Sequence, residues 1–218
     1  MKLLCAAVLF DLDGVLVDSA PLADRHWQRW AEAHDVPFQS ILAVHRGRPS
    51  IETIRLVAPH LNAEIEGPRR EAAEAADTDG LTAFTGAREL LGGIPDGRWA
   101  IVTSSKRITA IRRLTHVGLP IPKVLVTCDD VSCGKPAPEP YSLAAMLLGF
   151  SPSRCIVVED APSGFESARA AGSRVVAIAP DQHLLADFRV TRLADIGLTN
   201  LPGVGLELSI PEPSLVRV

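Results

Sequence analysis

The chain has 218 residues, 47% of them apolar and 22% charged, with a formal net charge of −4. This composition suits one large globular domain, or one domain with a sizeable insertion, built around a substantial core. It excludes the basic field that draws nucleic acid or anionic membranes, and no apolar stretch approaches the ~20 residues needed to span a bilayer.

The first element is the apolar run Leu3 to Phe10, which reads as a buried strand. Lys2 ahead of it gives a faint likeness to a signal peptide. Asp11 and Asp13 follow at once with no small-residue cleavage site, so the expected location is the cytoplasm. Residues i and i+2 of an extended segment point to the same side. Asp11 and Asp13 could therefore face one reaction centre, as nucleophile and acid/base or as metal ligands.

From about Ser19 to Phe84 the pattern reads as helices only. Leu22, Trp27, Trp30, Ala31 and His34 share one helical face, with the tryptophans expected in a core. Ser50 could cap a helix carrying Ile51, Ile54 and Leu61. Glu64 to Ala76, charged and alanine-rich, reads as an exposed helix. Phe84-Thr85-Gly86 reads as a return linker, which places an inserted domain at 19–84 between 1–18 and 85–218.

Short apolar runs then recur: Trp99–Val102, Val124–Val126, Cys155–Val158 and Val175–Ile178. With Ala6–Phe10 they have the length and the Val/Ile content of strands buried on both faces. Helices are expected between them, over Ile108 to Leu114 with Gly118 as a stop, Tyr141 to Leu148, and Phe165 to Ala171. Strand and helix in alternation imply a parallel, doubly wound α/β sheet. The tail from Leu201, rich in Pro and Gly, is expected to be partly mobile. Cys5, Cys128, Cys133 and Cys155 fit no zinc spacing. The first two and Cys155 border apolar runs and are expected as buried, reduced thiols.

Ligands of an open α/β sheet bind beyond the carboxyl ends of its strands. There the chain delivers Asp11 and Asp13, then Thr103-Ser104-Ser105, then Asp129 and Asp130 leading to Gly134-Lys135-Pro136, and then Glu159-Asp160 with Pro162, Ser163 and Gly164. Hydroxyls beside a helix start suit phosphate oxygens. Close carboxylates repel unless a cation lies among them, and oxygen ligands point to Mg²⁺. A calcium loop is excluded, because Gly14 and Leu22 stand where that loop needs other residues. A nucleotide P-loop is excluded because Pro136 replaces Ser or Thr.

These segments resemble the signatures of the haloacid dehalogenase-like (HAD) superfamily. They match as Asp11-Leu12-Asp13-Gly14-Val15-Leu16-Val17-Asp18-Ser19, Thr103 with Ser104, Gly134-Lys135-Pro136-Ala137-Pro138, and Val157-Val158-Glu159-Asp160-Ala161-Pro162-Ser163-Gly164. The resemblance implies a Rossmann-like core with an inserted all-helical C1 cap. It also implies Asp11 as nucleophile and Asp13 as acid/base. Asp11, the Asp13 carbonyl and Asp160 would hold Mg²⁺, with Glu159 a ligand directly or through water. Thr103, Ser104 and Lys135 would bind the phosphate.

Val44-His45-Arg46-Gly47-Arg48-Pro49-Ser50 resembles the cap segment of sugar- and polyol-phosphate phosphatases, so His45, Arg46 and Arg48 could reach substrate. Asp13, Glu159 and Asp160 argue against a dehalogenase, and an insert without lysine argues against a phosphonoacetaldehyde hydrolase. The β-phosphoglucomutases share Lys135-Pro-Ala-Pro but carry a hinge histidine where Ala23 stands here. A Mg²⁺-dependent phosphatase of small sugar or polyol phosphates is expected, with a sugar phosphomutase as the alternative and a non-catalytic binding module as the contrast. The expected partner is a small phosphorylated metabolite, with neither nucleic acid nor membrane, and the expected state is a monomer.

Overall fold

The computed structural model describes residues 1–45, 48–178 and 186–211. The chain divides into two compact units, Met1–Asp18 with Ala83–Val218, and Ser19–Thr82.

In the first unit, β1 (Lys2–Cys5) is followed by β2 (Ala7–Phe10) and β3 (Val17–Asp18). The second unit holds α1 (Ala20–Ala33), α2 (Phe38–Leu42), α3 (Ser50–Val57) and α4 (Ala63–Ala76), after which comes β4 (Thr82–Ala83). Then follow α5 (Ala87–Gly92), β5 (Trp99–Val102), α6 (Arg107–His116), β6 (Leu125–Val126) and α7 (Glu139–Leu147). The chain continues through β7 (Cys155–Glu159), α8 (Pro162–Ala170), β8 (Arg174–Ile178), β9 (Phe188–Val190), β10 (Gly197–Leu201) and β11 (Gly205–Ser209).

The main sheet has six strands in the order β6-β5-β2-β7-β8-β9, with every pair parallel. Its inner strands β2, β5 and β7 are buried throughout, as strands covered by helices on both faces must be. Phe10 stands opposite both Ile101 and Val158. The residues that follow these strands therefore emerge at one edge. The chain runs from β2 outward through β5 and β6, then returns to β7 on the other side. The ends of β2 and β7 thus flank the point where the winding reverses, which is where such sheets bind ligands.

Leu3 to Phe10 is two strands rather than one. The chain turns at Ala6, whose N–H donates to the Arg154 carbonyl at 2.7 Å. β1 then joins β11 and β10 in a separate antiparallel sheet. Exposure alternates along β1, with Leu4 outward, whereas β2 is buried on both faces. The tail from Leu201, expected to be partly mobile, supplies β11, the central strand of that sheet, and its residues 212–218 lie outside the described residues. Cys5 and Cys155 are buried, and burial pushes their thiols up to about 12 and about 11. Cys128 is exposed, contrary to expectation, because it opens a short 3-10 turn after β6.

The helical unit packs Trp27, Trp30, Ala31, Val36, Ile41, Ile54, Ala58 and Ala63 into its own core. Trp27 and Trp30 meet edge to face with centroids 5.6 Å apart. Arg70 lies over the Trp27 ring at 4.3 Å and donates to Ser50 Oγ and Glu74. Ser50 is thus not the expected cap: Pro49 occupies that position, and the Ser50 hydroxyl faces inward to satisfy Arg70. Leu61 falls beyond the end of α3. Among the described residues, no helix is long and apolar enough to cross a membrane.

Candidate active site

The loop after β2 is fixed by its backbone. Asp11 N–H donates to the Val158 carbonyl at 3.0 Å, and Leu16 and Val17 N–H both return to the Leu12 carbonyl. Gly14 has φ +86°, and a Cβ there would overlap the Asp160 carboxylate. Only glycine permits this turn and lets Asp160 sit against it.

Lys135 reaches the same place from the loop before α7. That loop is anchored by Glu139, whose carboxylate accepts from Ser132 and Cys133 N–H at 2.9 and 2.8 Å. The Lys135 ammonium lies 2.5 Å from Asp11 Oδ1, 2.7 Å from Glu159 Oε1 and 3.1 Å from the Val102 carbonyl. Burial alone would lower its pKa, but Asp11, Tyr141 and Glu159 hold it well above the lysine range. It is therefore a permanent cation.

Glu159 ends β7 and is almost fully buried. Its Oε1 accepts from Lys135 and from Tyr141 Oη at 3.1 Å; its Oε2 accepts from Asp160 and Ala161 N–H at 2.7 and 2.8 Å. Each oxygen thus has both lone pairs engaged. A Cβ at Gly164 would overlap this carboxylate, so the start of α8 must carry glycine there.

Ligand oxygens of Asp11, Glu159 and Asp160 lie within 4.8 Å of one another. Burial raises the Asp11 pKa well above the carboxylate range, with Glu159 and Asp160 adding to the rise against the pull of Lys135. Burial, then the Glu159 charge, pushes Asp160 up to about 7. Three acids face one lysine, so the site has an excess of negative charge in a low dielectric. Hard oxygen donors with that excess fit a divalent cation. Asp11 and Asp160 keep lone pairs for it, whereas Glu159 contributes charge and fixes its neighbours.

Asp13 holds two other contacts, to Arg113 on α6 and to Ser105. Thr103 is buried and its Oγ1 accepts from Ser105 N–H at 3.0 Å, leaving its own hydroxyl proton to donate elsewhere. Ser104 is exposed at the same strand end. Asp129 and Asp130 are occupied in shaping the turn: Asp130 accepts from Thr127 Oγ1 at 2.6 Å and pairs with Arg107, and Asp129 accepts from Arg107 N–H at 2.8 Å.

The structure thus brings together Asp11, Asp13, Thr103, Lys135, Glu159 and Asp160 within one unit. Tyr141 and Arg113 join them without any warning in the sequence. In the helical unit, His45 is buried, with Nε2 3.1 Å from Asp24 Oδ1. Arg48 is exposed and donates to the Val44 carbonyl at 3.0 Å. Arg46 lies outside the described residues.

Residues 8–178 match the model of the haloacid dehalogenase-like hydrolase family. The chain belongs to this family. Among haloacid dehalogenase-like relatives, hexitol phosphatase A of Escherichia coli (strain K12) is 45% identical over 80% of this chain and 83% of its own length. Validoxylamine A 7'-phosphate phosphatase of Streptomyces hygroscopicus subsp. limoneus is 37% identical over 90% and 97%. A HAD family hydrolase from Deinococcus radiodurans R1, solved with bound phosphate and sodium, superimposes with a TM-score of 0.69 at 27% identity, covering 87% and 92%.

Proposed function

We propose that this protein is a Mg²⁺-dependent phosphatase of small sugar or polyol phosphates that works through an aspartyl-phosphate on Asp11. The observation that carries this reading is the buried Lys135 bridging Asp11 and Glu159, with Asp160 alongside, where the sheet reverses its winding.

Asp11, the Asp13 carbonyl and Asp160 would hold the ion. When bound, it neutralises phosphate oxygens and offsets the charge that develops in transfer. Lys135, whose three N–H donors are taken by Asp11, Glu159 and the Val102 carbonyl, holds Asp11 in place and attracts the phosphate by its charge, while Thr103 and Ser104 offer hydroxyls to the phosphate oxygens. The free oxygen of Asp11 attacks phosphorus as the bond to the leaving oxygen breaks. Asp13 gives that oxygen a proton, then takes one from the water that cleaves the Asp11–phosphorus linkage. Inorganic phosphate and the free alcohol are the products. Glu159 acts through its neighbours rather than as a direct ligand.

The helical unit, Ser19–Thr82 where the sequence suggested 19–84, is the cap, and it chooses the alcohol. His45, Arg46 and Arg48 are its candidate contacts. His45, already held by Asp24, would act mainly by shaping the loop. The phosphatase reading is favoured over the phosphomutase because the two relatives described above are named phosphatases and Ala23 stands at the hinge position. A monomer acting on soluble phosphorylated metabolites in the cytoplasm fits this reading.

The test is a phosphate-release panel of hexitol, hexose and glycerol phosphates with Mg²⁺. Preferential turnover of one or more polyol or sugar phosphates is expected. Conversion of glucose 1-phosphate to glucose 6-phosphate with little free phosphate, given a bisphosphate primer, would overturn it in favour of the mutase.

A further inference from the structure

We infer that Arg113, together with Ser105, is the positioning residue that mounts the acid/base carboxylate of Asp13. This inference rests on the phosphatase reading above. Arg113 sits on the buried face of α6 with Thr109, Ala110 and Leu114. Its side chain is only 7% exposed. Buried ion pairs are often matched or exceeded by apolar side chains of similar volume. Packing alone therefore does not account for a guanidinium here.

Its geometry does. Arg113 Nη1 lies 2.5 Å from Asp13 Oδ1, and Ser105 Oγ donates to Asp13 Oδ2 at 3.2 Å. Ser105 is itself tied down through its N–H to Thr103 Oγ1. The two Asp13 oxygens are therefore gripped from two elements, α6 and the turn after β5, both inside one unit. Asp13 is a quarter exposed and without these contacts would be free to change rotamer. One contact per oxygen still leaves each a lone pair, which can carry the proton given to the leaving oxygen and later taken from the hydrolytic water. A displacement of about 1 Å in such a group costs on the order of 10²-fold in rate.

The test compares kcat/KM, with Mg²⁺, for glycerol 3-phosphate and p-nitrophenyl phosphate. The alkoxide of the first must be protonated as it leaves; the nitrophenolate of the second need not be. Asp13→Asn, as reference, is expected to lose about 10²-fold or more on the glycerol ester and far less on the aryl ester. Arg113→Met is expected to show the same bias at about 10- to 100-fold, with Arg113→Lys recovering part of it. Arg113→Gln, which keeps a polar side chain of middle length, serves if the Met variant does not fold, and Ser105→Ala is expected to show the bias more weakly. Equal losses on both esters, or none, would overturn the assignment of Arg113. Absence of bias in Asp13→Asn would instead overturn the acid/base reading of Asp13, and this inference with it.

Discussion

Both units bury charge, but they balance it differently. Among the described residues of the helical unit, buried side chains that can carry charge pair off, Arg70 with Glu74, His45 with Asp24 and His26 with Asp77. At the ends of β2 and β7, Asp11, Glu159 and Asp160 surround Lys135. Balanced pairs complete a fold. An unbalanced cluster stays costly until a ligand of opposite charge enters, and the raised pKa values of Asp11 and Asp160 record that cost. Burial of a charged residue is thus a poor guide to function, and the local sum of charge is a better one.

The sharpest way to break this comparison is at Asp11. Asp11→Asn should lower turnover of p-nitrophenyl phosphate by at least about 10³-fold while the protein stays folded, because the nucleophile is lost but the repulsion is relieved. Activity within tenfold of the parent would remove Asp11 from the chemistry. Removing the lone cation of the cluster should act on stability as well. Lys135→Met leaves Asp11 and Glu159 buried without their counter-charge and is expected to cost about 3–5 kcal/mol, read from the urea midpoint. Arg70→Met in the helical unit should cost less, about 1–3 kcal/mol, because Glu74 is partly exposed and water can take over part of the bond. Equal costs would erase the distinction between the two kinds of burial.

The cluster was legible in sequence because each acid ends or follows a strand whose apolar run is unambiguous: Phe10 before Asp11, Val158 before Glu159. The parallel order of those strands followed from the alternation with helices. Tyr141 and Arg113 were not legible. Each lies on the buried face of a helix, where spacing marks only that a residue points inward, and which strand end it meets depends on packing. The division of Leu3 to Phe10 was hidden for a related reason. Leu4 is apolar yet faces out, so the alternation that marks a one-sided strand was masked. In the helical unit, His45 looked available because its neighbours are cationic and turn-forming; its burial against Asp24 and Trp27 could be seen only in the fold.

The charge excess also predicts a pH dependence. The folded pKa of Asp160, about 7, lies above the ordinary 3.8. The folded state therefore holds its proton more tightly than the unfolded chain. Between those values stability falls as pH rises, by at most about 1.4 kcal/mol per pH unit for one proton. In EDTA the melting temperature should drop from pH 5 to pH 7. Millimolar Mg²⁺ should flatten that slope by replacing the proton with the ion. A slope unchanged by Mg²⁺ would remove the cation from this cluster.

The finest discrimination comes from two helical glycines, one in each unit. At Gly67 an added Cβ would lie 2.7 Å from Ile51 Cγ1 in the α3–α4 contact. That atom is bonded to the branched Cβ of Ile51, and the Ile51 backbone N and Cα lie at 3.2 and 3.4 Å, so α3 itself must give way. Alanine gains about 1 kcal/mol of helix propensity over glycine. Gly67→Ala should therefore cost about 1–3 kcal/mol in stability, propensity offsetting only part of the overpacking, with kcat close to that of the parent. At Gly164 the added Cβ would overlap the Glu159 carboxylate, which cannot yield without releasing Lys135, Tyr141 and the Asp160 N–H together. Gly164→Ala should therefore lower kcat by about tenfold or more even if its stability cost is modest. Matching kcat values for the two variants would mean that the Glu159 network packs the strand end without tuning the acids beside it.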